Sequence, residues 1–271
     1  MKECPLCQGQ LVVTRARGDF AIAERCRCQT PCPQCDGSGF FFETNTAGYE
    51  VTVPCRCRRL DQSARAFAQA MVPARYAAAH FGRIEAGEQG SDIAAARRTA
   101  WRFAKEFESG VRGLLFHGPS GTGKTLIATC ILRYLLLERG VRARFVEFMH
   151  LLADLRATFG DRGRAELVMA PLVEIPVLII DELGKGRGSE WELSVLDELI
   201  SKRYNAQRTT VFTTNFSPEE PSAEASQGGS LNEEKLVDRV GARIYSRLME
   251  MCEPVRLHGP DYRRKLATER R

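Results

Sequence analysis

The chain has 271 residues, enough for one large domain and one small one, and 44% of them are hydrophobic. No apolar run approaches the roughly 18 residues of a membrane-spanning helix, and Met1-Lys2-Glu3-Cys4 opens no signal segment, so a soluble, cytoplasmic protein without a membrane partner is expected. The formal charge of +5 is a poor argument for nucleic acid, because thiolates holding two zinc ions would take about four charges from it.

Eight of the ten cysteines lie before residue 58 and repeat as Cys4-x₂-Cys7 with Cys26-x-Cys28, then Cys32-x₂-Cys35 with Cys55-x-Cys57. In a reducing compartment this pattern suits two closed, tetrahedral Cys₄ zinc sites rather than disulfides. Free thiols and an iron–sulfur cluster are the alternatives, the latter having different usual spacings. The pairing is open between tandem and nested; the repeat period favours tandem. Cys130 and Cys252 sit in apolar helical contexts and read as small core residues.

After the cysteines, Leu60 to Ala79 reads as a helix interrupted at Pro73, followed by a mixed loop through Gly90. Asp92 to Ser109 is a second helix with Ala96, Ala100, Phe103 and Phe107 on one apolar stripe. Leu114-Leu115-Phe116 is a buried strand, and Leu126 to Leu137 is a helix ending near Gly140. A strand from Ala143 to Phe148, a helix from His150 to Phe159, a break at Gly160 to Gly163 and a helix from Ala165 to Val173 come next. Pro176 to Glu182 is a strand running into two carboxylates, Glu190 to Tyr204 an amphipathic helix, and Thr209 to Thr214 a β-branched strand ending at Asn215. Ser217 to Ser230 reads as a mobile loop, Leu231 to Glu250 as a helix and Pro254 to Leu257 as a last strand. Such alternation predicts an α/β fold, a parallel sheet with helices on both faces. The expected division is a cysteine-rich module (1–60), a linker (61–90), an α/β core (91–260) and a basic tail (261–271) that is either a phosphate contact or a solvated terminus.

Between the strand at Leu114 and its helix, Gly118-Pro119-Ser120-Gly121-Thr122-Gly123-Lys124-Thr125 is a complete G-x-x-x-x-G-K-T loop. Its glycines let the backbone N–H groups and the helix N-terminus face phosphates, with Lys124 placed for the β and γ phosphates and the Thr125 hydroxyl for Mg²⁺. At the end of the second strand, Asp181 suits the Mg²⁺ shell and Glu182 the polarising of a water for attack on the γ-phosphate of ATP, which favours hydrolysis over transfer. Asn215 can orient that water.

With these motifs, Phe212-Thr213-Thr214-Asn215 and Arg243-Ile244-Tyr245-Ser246-Arg247-Leu248 in this order, the sequence resembles AAA+ ATPases of the DnaC/DnaI/IstB group from about Met71 to Tyr262. More specific to the group are Val72-Pro73-Ala74-Arg75-Tyr76, Asp181-Glu182-Leu183-Gly184 and Lys202-Arg203-Tyr204. The resemblance implies a P-loop AAA+ core without a C-terminal helical lid, ATP-driven self-association, and the loading of a replicative helicase onto single-stranded DNA or support of a transposase. It makes Asn215 the sensor and Arg247 the arginine finger acting on a neighbouring subunit, with Arg243 a second candidate. It places the inner channel at Arg156 and Phe159, with Ser189 and Trp191 after the Asp-Glu turn, as the single-strand contact. The doubled cysteine unit departs from the group's usual single one, and Cys32 to Phe40 also looks like the zinc region of DnaJ chaperones. Helicase docking through the zinc module is the expected role of the N-terminus, with a transposition helper or a nucleotide-gated adaptor of little turnover as rivals.

Overall fold

The computed structural model describes residues 4–84, 91–218 and 235–262. They form two compact units, one running to Ala78 together with Arg133–Arg142, the other made of Ala79–Leu132 and the residues from Ala143 on.

In the first unit each cysteine repeat carries an antiparallel hairpin. Val12–Arg17 (β1) pairs with Phe20–Arg25 (β2), and Phe40–Thr44 (β3) with Glu50–Pro54 (β4). Helix Arg56–Gln69 (α1) follows, its Leu60, Ala64 and Phe67 buried at helical spacing. It packs on β2, whose Ala21 N–H bonds the Val72 carbonyl at 2.7 Å. The helix starts four residues before Leu60 because Cys55 sits in the extended N-cap position, and it ends at Gln69, well short of Ala79. Around Pro73 only a short 3₁₀ turn, Ala74–Tyr76, survives. Arg133 ties its own unit together by donating to Thr14 Oγ1 at 2.8 Å.

The second unit opens with helix Asp92–Lys105 (α2), N-capped by Ser91, whose side chain accepts from the Ala94 N–H. It stops before Ser109, with Phe107 buried just beyond it. Strand Gly113–His117 (β5) leads into helix Lys124–Tyr134 (α3), which passes into a π-turn, Leu135–Arg139, closed by left-handed Gly140. Strand Ala143–Glu147 (β6) precedes helices Phe148–Arg156 (α4) and Arg162–Glu174 (α5), each starting earlier than the apolar pattern suggests; α5 is N-capped by Asp161. Strand Val177–Asp181 (β7), helix Glu190–Asn205 (α6) and strand Thr209–Thr214 (β8) follow.

The helix expected from Leu231 to Glu250, whose residues 231–234 lie outside the described ones, is over the rest two helices, Leu236–Val240 (α7) and Ala242–Met251 (α8), split at Gly241, whose φ of 80° no continuous helix allows. Strand Cys252–Arg256 (β9) starts two residues before Pro254. The loop from residue 219 to 230 and most of the basic tail lie outside the described residues.

The five strands form one parallel sheet in the order β6-β7-β8-β5-β9. All residues of β5, β7 and β8 are buried, as central parallel strands covered on both faces require. Leu115, Leu178, Ile180, Leu196, Leu199 and Phe212 anchor one core between sheet and helices. The C-terminal ends of β5, β7 and β8 thereby open at one crevice, where such sheets bind ligands.

Candidate nucleotide site and cysteine centres

The phosphate loop runs from the end of β5 into α3. Gly118, at φ 135°, lies so close to the Leu257 carbonyl that no Cβ would fit. Lys124 Nζ is folded onto the loop, donating to the carbonyls of Gly118 and Pro119 at 2.7 Å each, and Thr122 Oγ1 donates to Pro119 O at 2.9 Å. Lys124 is buried, so these carbonyls satisfy a charge that phosphate oxygens would otherwise take.

Asp181 and Thr125 meet as their sequence motifs suggest: Thr125 Oγ1 donates to Asp181 Oδ1 at 2.9 Å. Burial pushes the Asp181 carboxyl above its ordinary range, against the hydrogen bonds from Thr213 and Thr125. A hydroxyl and a carboxylate oxygen at this separation are the hard donor pair that a P-loop uses for Mg²⁺.

Glu182 sits in the left-handed region at φ 58°, a conformation that costs an ordinary residue about 1–2 kcal/mol. The threonines of β8 hold it there. Thr213 Oγ1 donates to Asp181 and accepts from the Glu182 N–H at 3.1 Å, the Thr213 carbonyl takes the Leu183 N–H at 2.8 Å, and Thr214 Oγ1 donates to the Leu183 carbonyl at 2.8 Å. Lys185 Nζ meets Glu182 Oε2 at 2.5 Å. Asn215 follows Thr214 at the strand end and is exposed.

Several of these contacts are not carried by a motif. Thr213 belongs to a recognisable strand, but its bond to Asp181 depends on the β7–β8 neighbourhood. Arg239, on α7, donates to the carbonyls of Gly184 and Gly186 and lies 5.1 Å over the Phe216 ring, fixing the turn after Glu182. Asp261 packs against Gly121, and the Tyr262 N–H bonds the Gly121 carbonyl at 3.1 Å. Within the described chain Arg247 is paired with Asp197 at 2.8 Å, and Arg243, 73% exposed, lies 3.5 Å from the same carboxylate.

The four residues expected at DNA do cluster. Arg156 stacks 4.8 Å over the Trp191 ring, Phe159 meets Trp191 edge-on at 5.2 Å, and Ser189 caps α6 by accepting from the Glu192 N–H. The Ser189 hydroxyl is thus engaged in the fold, and Arg156 is paired with buried Glu192 at 2.8 Å. A cleft of about 620 Å³ beside them is lined by Phe159, Trp191, Asp161, Glu166 and Glu198.

Both cysteine groups are tandem: Cys4, Cys7, Cys26 and Cys28 converge, as do Cys32, Cys35, Cys55 and Cys57, all sulfurs within each group lying within 4.8 Å. The closest pairs are 3.7 and 3.6 Å apart in the first and 3.7 and 3.4 Å in the second. A tetrahedral cage with zinc–sulfur bonds of about 2.3 Å separates its sulfurs by about 3.8 Å, so the donor set fits zinc. Backbone N–H groups of Cys7 and Leu6 pull the Cys4 thiol down to about 7, while burial and its neighbours push Cys28 up to about 12. One ionised thiol suppressing the next is a strain that a divalent cation relieves.

The sheet order, the phosphate loop and the carboxylates at the end of β7 define an α/β nucleotide-binding protein of the AAA+ type. The chain belongs to the IstB-like ATP binding protein family, whose pattern matches residues 94–270. It is 28% identical over 139 residues to the replicative helicase loader DnaC of Escherichia coli (strain K12), covering 51% of this chain and 55% of that protein. The chain thus spans about half the length of the curated relatives it matches. The crystal structure of the DnaC helicase loader superposes with a TM-score of 0.57 at 28% identity, over 68% of this chain and 99% of that one. That of DnaI gives 0.52 at 25%, over 70% and 93%. No helix among the described residues is long and apolar enough to cross a membrane.

Proposed function

We propose that this protein hydrolyses ATP and uses the nucleotide cycle to load a replicative helicase onto single-stranded DNA. The observation that carries the reading is the clamp of Thr213 and Thr214 on the Asp181-Glu182-Leu183 turn, which presents Glu182 beside the Thr125–Asp181 pair. In this reading the loop from Gly118 to Thr125 wraps the phosphates, and Lys124 exchanges its loop carbonyls for phosphate oxygens. Thr125 and Asp181 hold Mg²⁺, which supplies charge neutralisation at the transferring phosphate. Glu182 takes the proton of the attacking water, Asn215 orients that water, and Arg247 reaches the γ-phosphate of a neighbouring copy. Arg247 must leave Asp197 to do so. The Arg156–Trp191–Phe159 cluster contacts bases of the single strand, and zinc in the two cysteine centres holds a module that docks the helicase.

The test combines the purified protein with its own organism's hexameric helicase and single-stranded DNA. Lys124→Ala is expected to lose nucleotide binding; Glu182→Gln should bind but not turn over; Arg247→Ala should bind but fail in assembly-stimulated hydrolysis. Mixing the last two should restore some activity if the site is shared. Wild-type turnover by Glu182→Gln would remove Glu182 from the mechanism. Capture of a transposase instead of the helicase would favour the transposition reading, which the family match equally allows.

A further inference from the structure

The two cysteine repeats have the same framework but different surfaces. In the first, one face of the hairpin is covered: Val12, Ala21 and Ala23 are buried, with β2 under α1, and among its large apolar strand residues Phe20, next to the turn, is exposed. In the second, Phe42 and Tyr49 are 72% and 71% exposed, and Phe40 and Val51 are exposed too. Phe40 and Phe42 share one face of the hairpin, because they alternate along β3 and pair with Pro54 and Thr52. The cations that follow the closing Cys-x-Cys differ in the same direction. Both repeats carry an arginine inside Cys-x-Cys, Arg27 and Arg56, as thiolates beside a metal would favour. Only the second continues with Arg58-Arg59, where the first has Gln29-Thr30.

These residues form a site. A cleft of about 610 Å³ is lined by Arg56, Arg58, Arg59, Gln34, Gln62 and Phe41, with no carboxylate in its wall. None of the three arginines forms an ion pair among the described residues. Phe41 faces this cleft, while Phe40 and Phe42 lie on the opposite face of β3; Arg58, 4.8 Å over the Phe40 ring, joins the two. Cations without counter-ions, amide donors and exposed rings on one hairpin are the combination that tracks a sugar-phosphate backbone and stacks its bases.

We propose that the second cysteine hairpin is a single-stranded nucleic-acid site, with Arg56, Arg58 and Arg59 on phosphates and Phe40 and Phe42 on bases. It lies outside the ATPase unit and needs no nucleotide, so it stands or falls separately from the loader reading. The experiment is fluorescence anisotropy of a labelled oligo-dT of about 20 nucleotides with the full-length, zinc-loaded protein, without ATP, across a salt series. Phe42→Ala should weaken binding about tenfold, and Phe42→Trp should restore it. Arg58→Ala with Arg59→Ala should flatten the logarithmic salt slope by about 0.7 per arginine. All three variants alter exposed side chains, and an unchanged two-zinc content verifies the fold. Wild-type affinity and salt slope in both the Phe42→Ala and the double-arginine protein would overturn the proposal. So would intact DNA binding together with lost helicase capture, which would assign the face to a protein partner. Loss of binding on Lys124→Ala in the absence of ATP would also count against it, since this site is nucleotide-independent.

Discussion

Thr213→Val is the sharpest perturbation of the nucleotide site, since it keeps the shape of the side chain and removes only the hydroxyl that joins Asp181 to Glu182. The bond to Asp181 is charge-assisted and buried, worth about 1.5–3 kcal/mol, and the Glu182 N–H left without its acceptor adds about 1 kcal/mol. A loss near 3 kcal/mol corresponds to a melting temperature lower by about 6–12 °C for a domain of this size. Activity should fall further than stability explains, because Glu182 then loses a bond that holds it at φ 58°. The pH dependence has a defined sign. Burial raises the Asp181 carboxyl in the folded state, so the folded chain keeps this proton to higher pH than the unfolded chain does. The group's contribution to stability is fully present below the ordinary carboxylate pKa and is lost as pH rises through the raised folded value. Thr213 opposes that rise, so in Thr213→Val the loss should extend to higher pH, and Mg²⁺-nucleotide binding should need a higher pH to saturate. Thermal melts from pH 4 to 8 with and without Mg²⁺-nucleotide, and turnover at each pH, measure all three effects. A variant that melts like wild type and keeps its pH profile would refute the clamp.

Two equivalents of zinc are expected to co-purify, with Cys4→Ser and Cys55→Ser each losing one independently; a single metal per chain by elemental analysis would exclude tandem centres. Arg203, 1% exposed, donates to Thr210 Oγ1 and to the carbonyls of Leu172, Val173, Ile175 and Thr209, and burial pulls its pKa down to about 9. Arg203→Met should therefore cost about 3–5 kcal/mol in denaturant unfolding, and a change below about 1 kcal/mol would show those carbonyls to be satisfied otherwise. Asp197→Ala should cost no more than about 1 kcal/mol of stability, since its pair with Arg247 is partly solvated, yet, if Arg247 acts on a neighbour as proposed, lower the protein concentration at which ATPase activity appears. An unchanged concentration dependence would argue that Asp197 does not restrain the finger.

What the sequence made legible was local chemistry. The phosphate loop, the apolar run of β7 into Asp181 and the β-branched run of β8 each carry their meaning in a few adjacent residues, and the cysteine spacing carries the tandem centres through its period. Contacts made across the sheet were not legible. Placing Asn215 at the water of Glu182 already implies that β8 neighbours β7, but nothing near Thr213 announces its bonds to Asp181 and Glu182, and nothing near Asp261 announces that it returns to Gly121. The helix expected from Leu231 to Glu250 failed at Gly241, because a glycine inside a helical pattern is tolerated as often as it breaks one, and only its backbone angle decides. Ser189 also caps α6, a role that its spacing to Glu192 carries in the sequence.

The left-handed backbone at Glu182 sets local stability against turnover. Asparagine accepts that conformation more readily than glutamate and would relieve strain of about 1 kcal/mol. In the proposed mechanism, Glu182→Asn is therefore a loss of turnover and a gain in backbone stability at once. The same substitution gives up the Lys185 ion pair, so a chain that merely binds nucleotide would relax the backbone here while losing one exposed contact.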